Sequence, residues 1–119
     1  MAFEGERMSY ADLEMKVIQW GEARKIVQHS TGLAQWRKTL EEVIELRDAL
    51  LLDDREAKID AYGDILVTLI MGCACEDLDL TSCLEHAYEQ IKDRKGHLNK
   101  EGIFVKEALG QQPQLHLLV

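Results

Sequence analysis

Proline is nearly missing from this chain. Its single copy, Pro113, stands in the C-terminal tail, so no ring interrupts a helix upstream of it. Cysteine is scarce too. Cys73, Cys75 and Cys83 form an odd set with no C-x-x-C pair, which argues against a disulfide framework and against a zinc site. They read as reduced cysteines on helices, helping to fill a core. No apolar run is long enough to span a bilayer; the longest lies around Ile65 to Cys75. The start, Met1 to Arg7, lacks the basic and apolar stretches of a signal peptide. A cytoplasmic protein is expected. Positive charge is in the minority, with 14 Lys and Arg against 22 Asp and Glu and a formal net charge of -8. That balance argues against a nucleic-acid polymer as partner, which would need clustered cations. It leaves room for a phosphate substrate, because bound metal ions can reverse the local sign.

What is present is a soluble composition, 46% apolar and 30% charged, in 119 residues. This suits one domain with a modest core. Strand-like alternation is absent over any useful length, and helical periodicity appears four times, which predicts an all-α domain over 1–109 with a tail over 110–119. The first helix is expected from about Tyr10 to Val27, capped by Ser9, with Tyr10, Leu13, Val17 and Trp20 on one face. After His29-Ser30-Thr31-Gly32, a second should run from Leu33 to Leu52 with Leu33, Trp36, Leu40, Val43, Ile44, Leu50 and Leu51 as its core stripe. A third should run from Glu56 to Glu76 with Ile59, Tyr62, Leu66, Leu69, Ile70 and Cys73 inward. A fourth should run from Leu80 to Arg94 with Leu80, Leu84, Ala87, Tyr88 and Ile91 inward; Ser82 and Glu85 have capping-box spacing, with Asp79 or Thr81 as alternative caps. The segment His97 to Glu107 is ambiguous, with an extended piece possible around Ile103-Phe104-Val105. In the tail, Leu115, Leu117, Leu118 and Val119 could dock on a partner subunit.

Two acidic clusters carry the chemistry. Glu41-Glu42-x-x-Glu45 lies on the second helix, and Asp60-Ala61-Tyr62-Gly63-Asp64 lies on the third. Alone, the first cluster could be a solvated face, with Lys38 one turn away as an ordinary ion-pair partner. The second cluster changes the weighing. Asp60 and Asp64 stack on one side of their helix, and Val67 and Met71 continue that side. Such a helix looks buried nearly all round, where carboxylates are costly unless paired or metal-bound. No Lys or Arg occurs between Lys58 and Lys92, so a cation such as Mg²⁺, with Mn²⁺ as substitute, is the better partner. Gly63, unfavourable inside a helix, points to close approach of a helix or ligand there. The four histidines show no metal-ligand spacing.

The two clusters, in this order and about twenty residues apart, resemble those of the all-α nucleoside triphosphate pyrophosphohydrolases. That group includes MazG-like proteins, dimeric dUTPases and phosphoribosyl-ATP pyrophosphohydrolases. Glu42-Val43-Ile44-Glu45, with Glu41 before it, matches the family's first element. Gly63-Asp64-Ile65-Leu66-Val67 matches its second. The pattern departs at Ala61, where the family has Glu; Asp60 is the nearest carboxylate. Trp20-Gly21-Glu22-Ala23-Arg24, Ser30-Thr31-x-x-Ala34-Gln35-x-x-Lys38, and Arg94-Lys95-Gly96-x-x-Asn99-x-x-Gly102-x-Phe104-Val105-Lys106 look like small MazG-like proteins often found in phages. The likeness spans about residues 13 to 107.

The resemblance implies a four-helix-bundle-like fold assembled as a homo-oligomer, dimer or tetramer. It implies Mg²⁺-dependent cleavage of a (deoxy)nucleoside triphosphate into monophosphate and pyrophosphate. Glu41, Glu42, Glu45 and Asp64, with Asp60, would hold metal, and Glu41 or Glu42 would handle the water's proton. Lys38, Arg94 and Lys95 are candidates to contact phosphate, and Trp20 to stack on the base. Lys38 could equally be a surface pair partner, Arg94 and Lys95 a solvated helix end, and Trp20 a core residue. The alternative is a non-enzymatic helical module, a nucleotide sensor or oligomerisation partner that retains the fold.

Overall fold

A computed structural model of the chain describes residues 7–107. It is helical apart from one two-stranded hairpin. The elements are α1 (Tyr10–Ala23), α2 (Ile26–His29), α3 (Gly32–Leu52), α4 (Arg55–Cys75), α5 (Leu80–Ile91), β1 (Gly96–Leu98) and β2 (Phe104–Lys106). The all-α class therefore holds. No described helix is long and apolar enough to cross a membrane. The chain divides after Glu85 into two compact units. The tail residues Leu115, Leu117, Leu118 and Val119 lie outside the described residues.

The first unit is built on the α3–α4 hairpin. Thr31 caps α3, its hydroxyl accepting from the Ala34 N–H at 3.0 Å, and Asp54 caps α4 by accepting from Ala57 N–H at 3.1 Å. Between them Asp53 takes the left-handed conformation, φ 54°, that ends α3. The two helices run antiparallel. Glu76 at the end of α4 accepts from the Gly32 N–H at the start of α3, and midway the Thr39 and Thr68 hydroxyls meet at 2.7 Å. Gly32 leaves room for this carboxylate, since a Cβ would lie 2.5 Å from it and the Glu76 side chain would have to shift.

The first helix is shorter than the sequence suggests. Lys25, at φ 68°, turns the chain, and residues 26–29 form a separate short helix. Periodicity continued to Val27 because α2 packs on α4 with its own apolar side inward. Gly21 of α1 lies against Met71 of α4, where a Cβ would come within 2.4 Å of the sulfur. Met71 is the most completely buried large side chain.

The core is smaller than the expected stripes. Ala49, Ala61, Ile70 and Met71 are its buried apolar members. Leu33, Trp36, Leu40, Val43, Ile44, Leu50 and Leu51 of α3 are all exposed, as are Ile59, Tyr62, Leu66 and Leu69 of α4. Leu84, Ala87, Tyr88 and Ile91 are exposed on α5, while Leu80 is half-buried. Two long helices with two short ones can cover only part of each other, and the remaining apolar faces stay open. Cys73 and Cys75 are half-buried as expected, but Cys83 is exposed.

The fourth expected helix ends at Ile91, not Arg94. Asp79 caps it, accepting from the Ser82 N–H at 2.9 Å. In the second unit β1 and β2 pair antiparallel, Gly96 opposite Lys106 and Leu98 opposite Phe104. The Asn99 side chain accepts from the N–H groups of Glu101 and Ile103, and Gly102 supplies φ 81° to close the turn. Gly96 admits no side chain, because a Cβ would meet the Val105 carbonyl oxygen at 2.1 Å.

Candidate functional site

The α3–α4 register, which pairs residue 32 with 76 and 39 with 68, brings the Glu42–Glu45 turn of α3 alongside the turn of α4 that carries Asp64. Glu42 is the buried member, only 8% exposed. Its Oε2 lies 3.7 Å from Lys38 Nζ, but its buried Oε1 has no hydrogen-bond partner among the described residues. Burial pushes the Glu42 carboxyl above its ordinary value, and the negative charges of Glu45, Asp64 and Glu41 push it further. A buried carboxylate oxygen without a donor is costly to keep.

The other acids are exposed. Glu41 pairs with Lys38 at 3.2 Å. Asp60 and Asp64 stand on an open side of α4, which corrects the expectation of a helix buried nearly all round. The burial argument belongs to Glu42 instead. Asp60 is one turn from Asp64 and exposed. Ala61, between Asp60 and Asp64, is buried at 4% exposure. Gly63 has open space where a Cβ would project, so no neighbouring helix among the described residues explains it.

Among the described residues, no three acidic, imidazole or thiol side chains meet closely enough to hold a metal ion between them. The donor set itself, carboxylates with one oxygen left unpartnered, suits a hard divalent cation.

Asp64 also lines a cavity of about 420 Å³ between α1 and α4, with Val67 from α4 and Leu13, Lys16, Val17 and Trp20 from α1. Trp20 is thus a partly exposed wall residue, not core. The Arg24 guanidinium lies over its ring, 4.7 Å from the centroid, and Arg24 Nη1 donates to the Trp20 carbonyl at 3.3 Å. Lys16 was missed by the sequence reading. The signal was available, since Lys16 is one turn before Trp20 on the same side of α1.

Lys38 is held by Glu41 and Glu42, which raise its affinity for the proton. Arg94 and Lys95 are exposed and belong to the second unit, on the link into β1 and not on a helix. Comparison of the chain with protein-family models, with curated proteins and with solved structures finds no match in any of the three.

Proposed function

We propose that this protein is a metal-dependent nucleoside triphosphate pyrophosphohydrolase of the MazG-like all-α kind, working in the cytoplasm as a homo-oligomer. The observation that carries the reading is the buried Glu42 carboxylate, one oxygen unpartnered, with Glu41, Glu45 and Asp64 bearing on it. A buried carboxylate under the charge of its acidic neighbours makes sense where a cation neutralises them. Glu42, Glu45 and Asp64, with Glu41 beside them, would hold Mg²⁺, which supplies Lewis acidity at the phosphates.

The chain's own groups divide the remaining work. Glu42 Oε1 is the carboxylate oxygen left without a partner, whereas Glu41 is held by Lys38 at 3.2 Å, so Glu42 takes the proton of the attacking water. The water oxygen bonds to the α-phosphorus, the bond from that phosphorus to the bridging oxygen breaks, and pyrophosphate leaves. Trp20 offers a stacking face for the base at the rim of the same cavity as Asp64. A second copy of the chain covers the apolar face of α3 and α4, where Leu33, Trp36, Leu40, Tyr62, Leu66 and Leu69 lie open.

The test is incubation with each NTP and dNTP in the presence of Mg²⁺, free of contaminating pyrophosphatase. Monophosphate and pyrophosphate are expected, and EDTA should abolish them. Orthophosphate as first product refutes attack at the α-phosphorus. Nucleotide binding without turnover would mark a sensing module instead.

A further inference from the structure

Only two of the six side chains around the α1–α4 cavity carry charge, Asp64 and Lys16. The other four, Leu13, Val17, Trp20 and Val67, make an apolar wall. Two lysines on α3 and α4 are engaged. Lys38 pairs with Glu41 and Glu42, and Lys58 with Asp53. Lys16 makes no ion pair among the described residues, although it shares a cavity with a carboxylate. A flexible ammonium unpaired among the described residues, across an apolar cavity from Asp64, is placed to meet an incoming anion.

We infer that Lys16 is a phosphate-binding residue: it holds the phosphate chain of the substrate in the α1–α4 cavity, between the carboxylates around Asp64 and the Trp20 face. This rests on the function proposed above and adds a residue to it. Three features support the assignment together. The cavity's volume of about 420 Å³ accepts a small-molecule group. Its charged lining comes from two helices, cation from α1 and carboxylate from α4. The unpartnered Glu42 oxygen lies in the carboxylate group that Asp64 shares with this cavity. Lysine suits the task as a point charge with three donors and no acceptor, able to follow phosphate oxygens as they move apart. Trp20 and Lys16, one helical turn apart, would divide the ligand between them, base on the ring and phosphates on the ammonium.

The experiment uses inorganic tripolyphosphate, which has the phosphate chain without a base, titrated with excess Mg²⁺ into the full-length native protein and into Lys16→Met and Lys16→Arg. Binding is read by calorimetry. Lys16→Met should weaken binding by about tenfold or more, the effect of losing one good ionic contact, and Lys16→Arg should restore most of it. Melting of each variant with Mg²⁺ alone serves as the second readout, and the Mg²⁺-dependent rise in Tm should match the native protein's. Native-like tripolyphosphate binding by Lys16→Met overturns the assignment and leaves the proposed function standing. Loss of the Mg²⁺ response in Lys16→Met also overturns it, by showing a structural role. If the native protein neither binds tripolyphosphate nor hydrolyses any nucleoside triphosphate, the proposed function fails and the assignment fails with it.

Discussion

Glu14 Oε1 accepts two hydrogen bonds from Thr81, from its N–H at 2.9 Å and its hydroxyl at 2.6 Å. Its other oxygen accepts from the Leu80 N–H at 2.7 Å. A buried carboxylate on α1 therefore satisfies the first two orphan donors of α5, while Asp79 satisfies the third. Glu14→Ala should cost about 3 kcal/mol, because it removes charge-assisted bonds and strands two N–H groups. Thermal melting should show a fall in Tm of roughly 8 °C or more for a domain of this size. Glu14→Gln, which keeps one acceptor oxygen, should fall less. If both variants melt like the native protein, α5 does not depend on this contact.

The same corner predicts an alkaline transition. Burial and the Glu14 charge push Tyr10 up to about 12, and burial next to Cys83 pushes Cys73 up to about 11. In the unfolded chain these groups ionise near 10.0 and 9.0. Between pH 9 and 12 the unfolded state therefore releases protons that the folded state retains. Stability is intact below that window and falls as pH rises through it. Denaturant midpoints measured from pH 8 to 11 should decline, and the decline should shrink in Tyr10→Phe.

The helices of the first unit were legible because each has a local stop and start. Ser9, Thr31, Asp54 and Asp79 are capping residues, and their side chains do cap. The break at Lys25 was not legible, since no glycine or proline marks it; packing of α2 on α4 selects the left-handed residue. The hairpin hid for a related reason. Its three-residue strands are too short for alternation, and only Asn99 and Gly102 announce the turn. The acidic clusters were visible as a pair, but which acid is buried was not. Periodicity pointed to the Asp side of α4, whereas the antiparallel register of α3 and α4 buries Glu42. Glu14 went unnoticed because a single acid on a helix face carries no sign of a partner sixty-seven residues away.

Glu42 sets an acid-side prediction of opposite practical consequence. Its folded proton affinity is raised above the ordinary 4.5 by burial and by Glu45, Asp64 and Glu41. As pH rises past 4.5 the unfolded chain ionises first, so Glu42 lowers stability progressively until the folded group ionises too, and its effect is flat above that. Glu42→Gln should remove this slope in metal-free protein and leave it as stable as the native protein at pH 7, or more so. Urea titrations in EDTA at pH 4.5 and pH 7 measure it. A Glu42→Gln protein that is less stable than native at pH 7 contradicts the account.

Mg²⁺ separates a metal site from a solvated acidic face. A ligand that binds only the folded state stabilises it by mass action, about 2.7 kcal/mol at a hundredfold excess over Kd. Millimolar Mg²⁺ should therefore raise the native Tm relative to EDTA. Glu45→Gln and Asp64→Asn should show a smaller rise and lose hydrolysis by about a hundredfold or more. An unchanged Mg²⁺ response in both variants would dismiss the carboxylates as ligands. Asp60→Asn discriminates further. Asp60 is exposed, one turn before Asp64, so a Mg²⁺ response near the native one in Asp60→Asn would exclude it as a ligand and a reduced one would include it.

The exposed apolar face of the α3–α4 hairpin bears on assembly. Trp36 is 54% exposed, Leu40 45% and Tyr62 55%, and all belong to the two longest helices. Beside them runs a groove of about 440 Å³ whose walls include Leu33, Trp36 and Leu69, floored by the Thr39–Thr68 contact. Soluble monomers rarely leave so continuous an apolar surface to water. Burying it against a second copy yields about 25 cal/mol for each Å² covered. Light scattering at micromolar concentration should therefore give at least twice the chain mass of 13.6 kDa. Leu40→Lys with Tyr62→Lys places charge in the face without touching Glu42, Glu45 or Asp64. That variant should shift toward monomer, keep its helical circular dichroism, and lower hydrolysis if the assembled form is the active one. A native protein that stays monomeric would leave the apolar faces of α3 and α4 without the partner assigned to them.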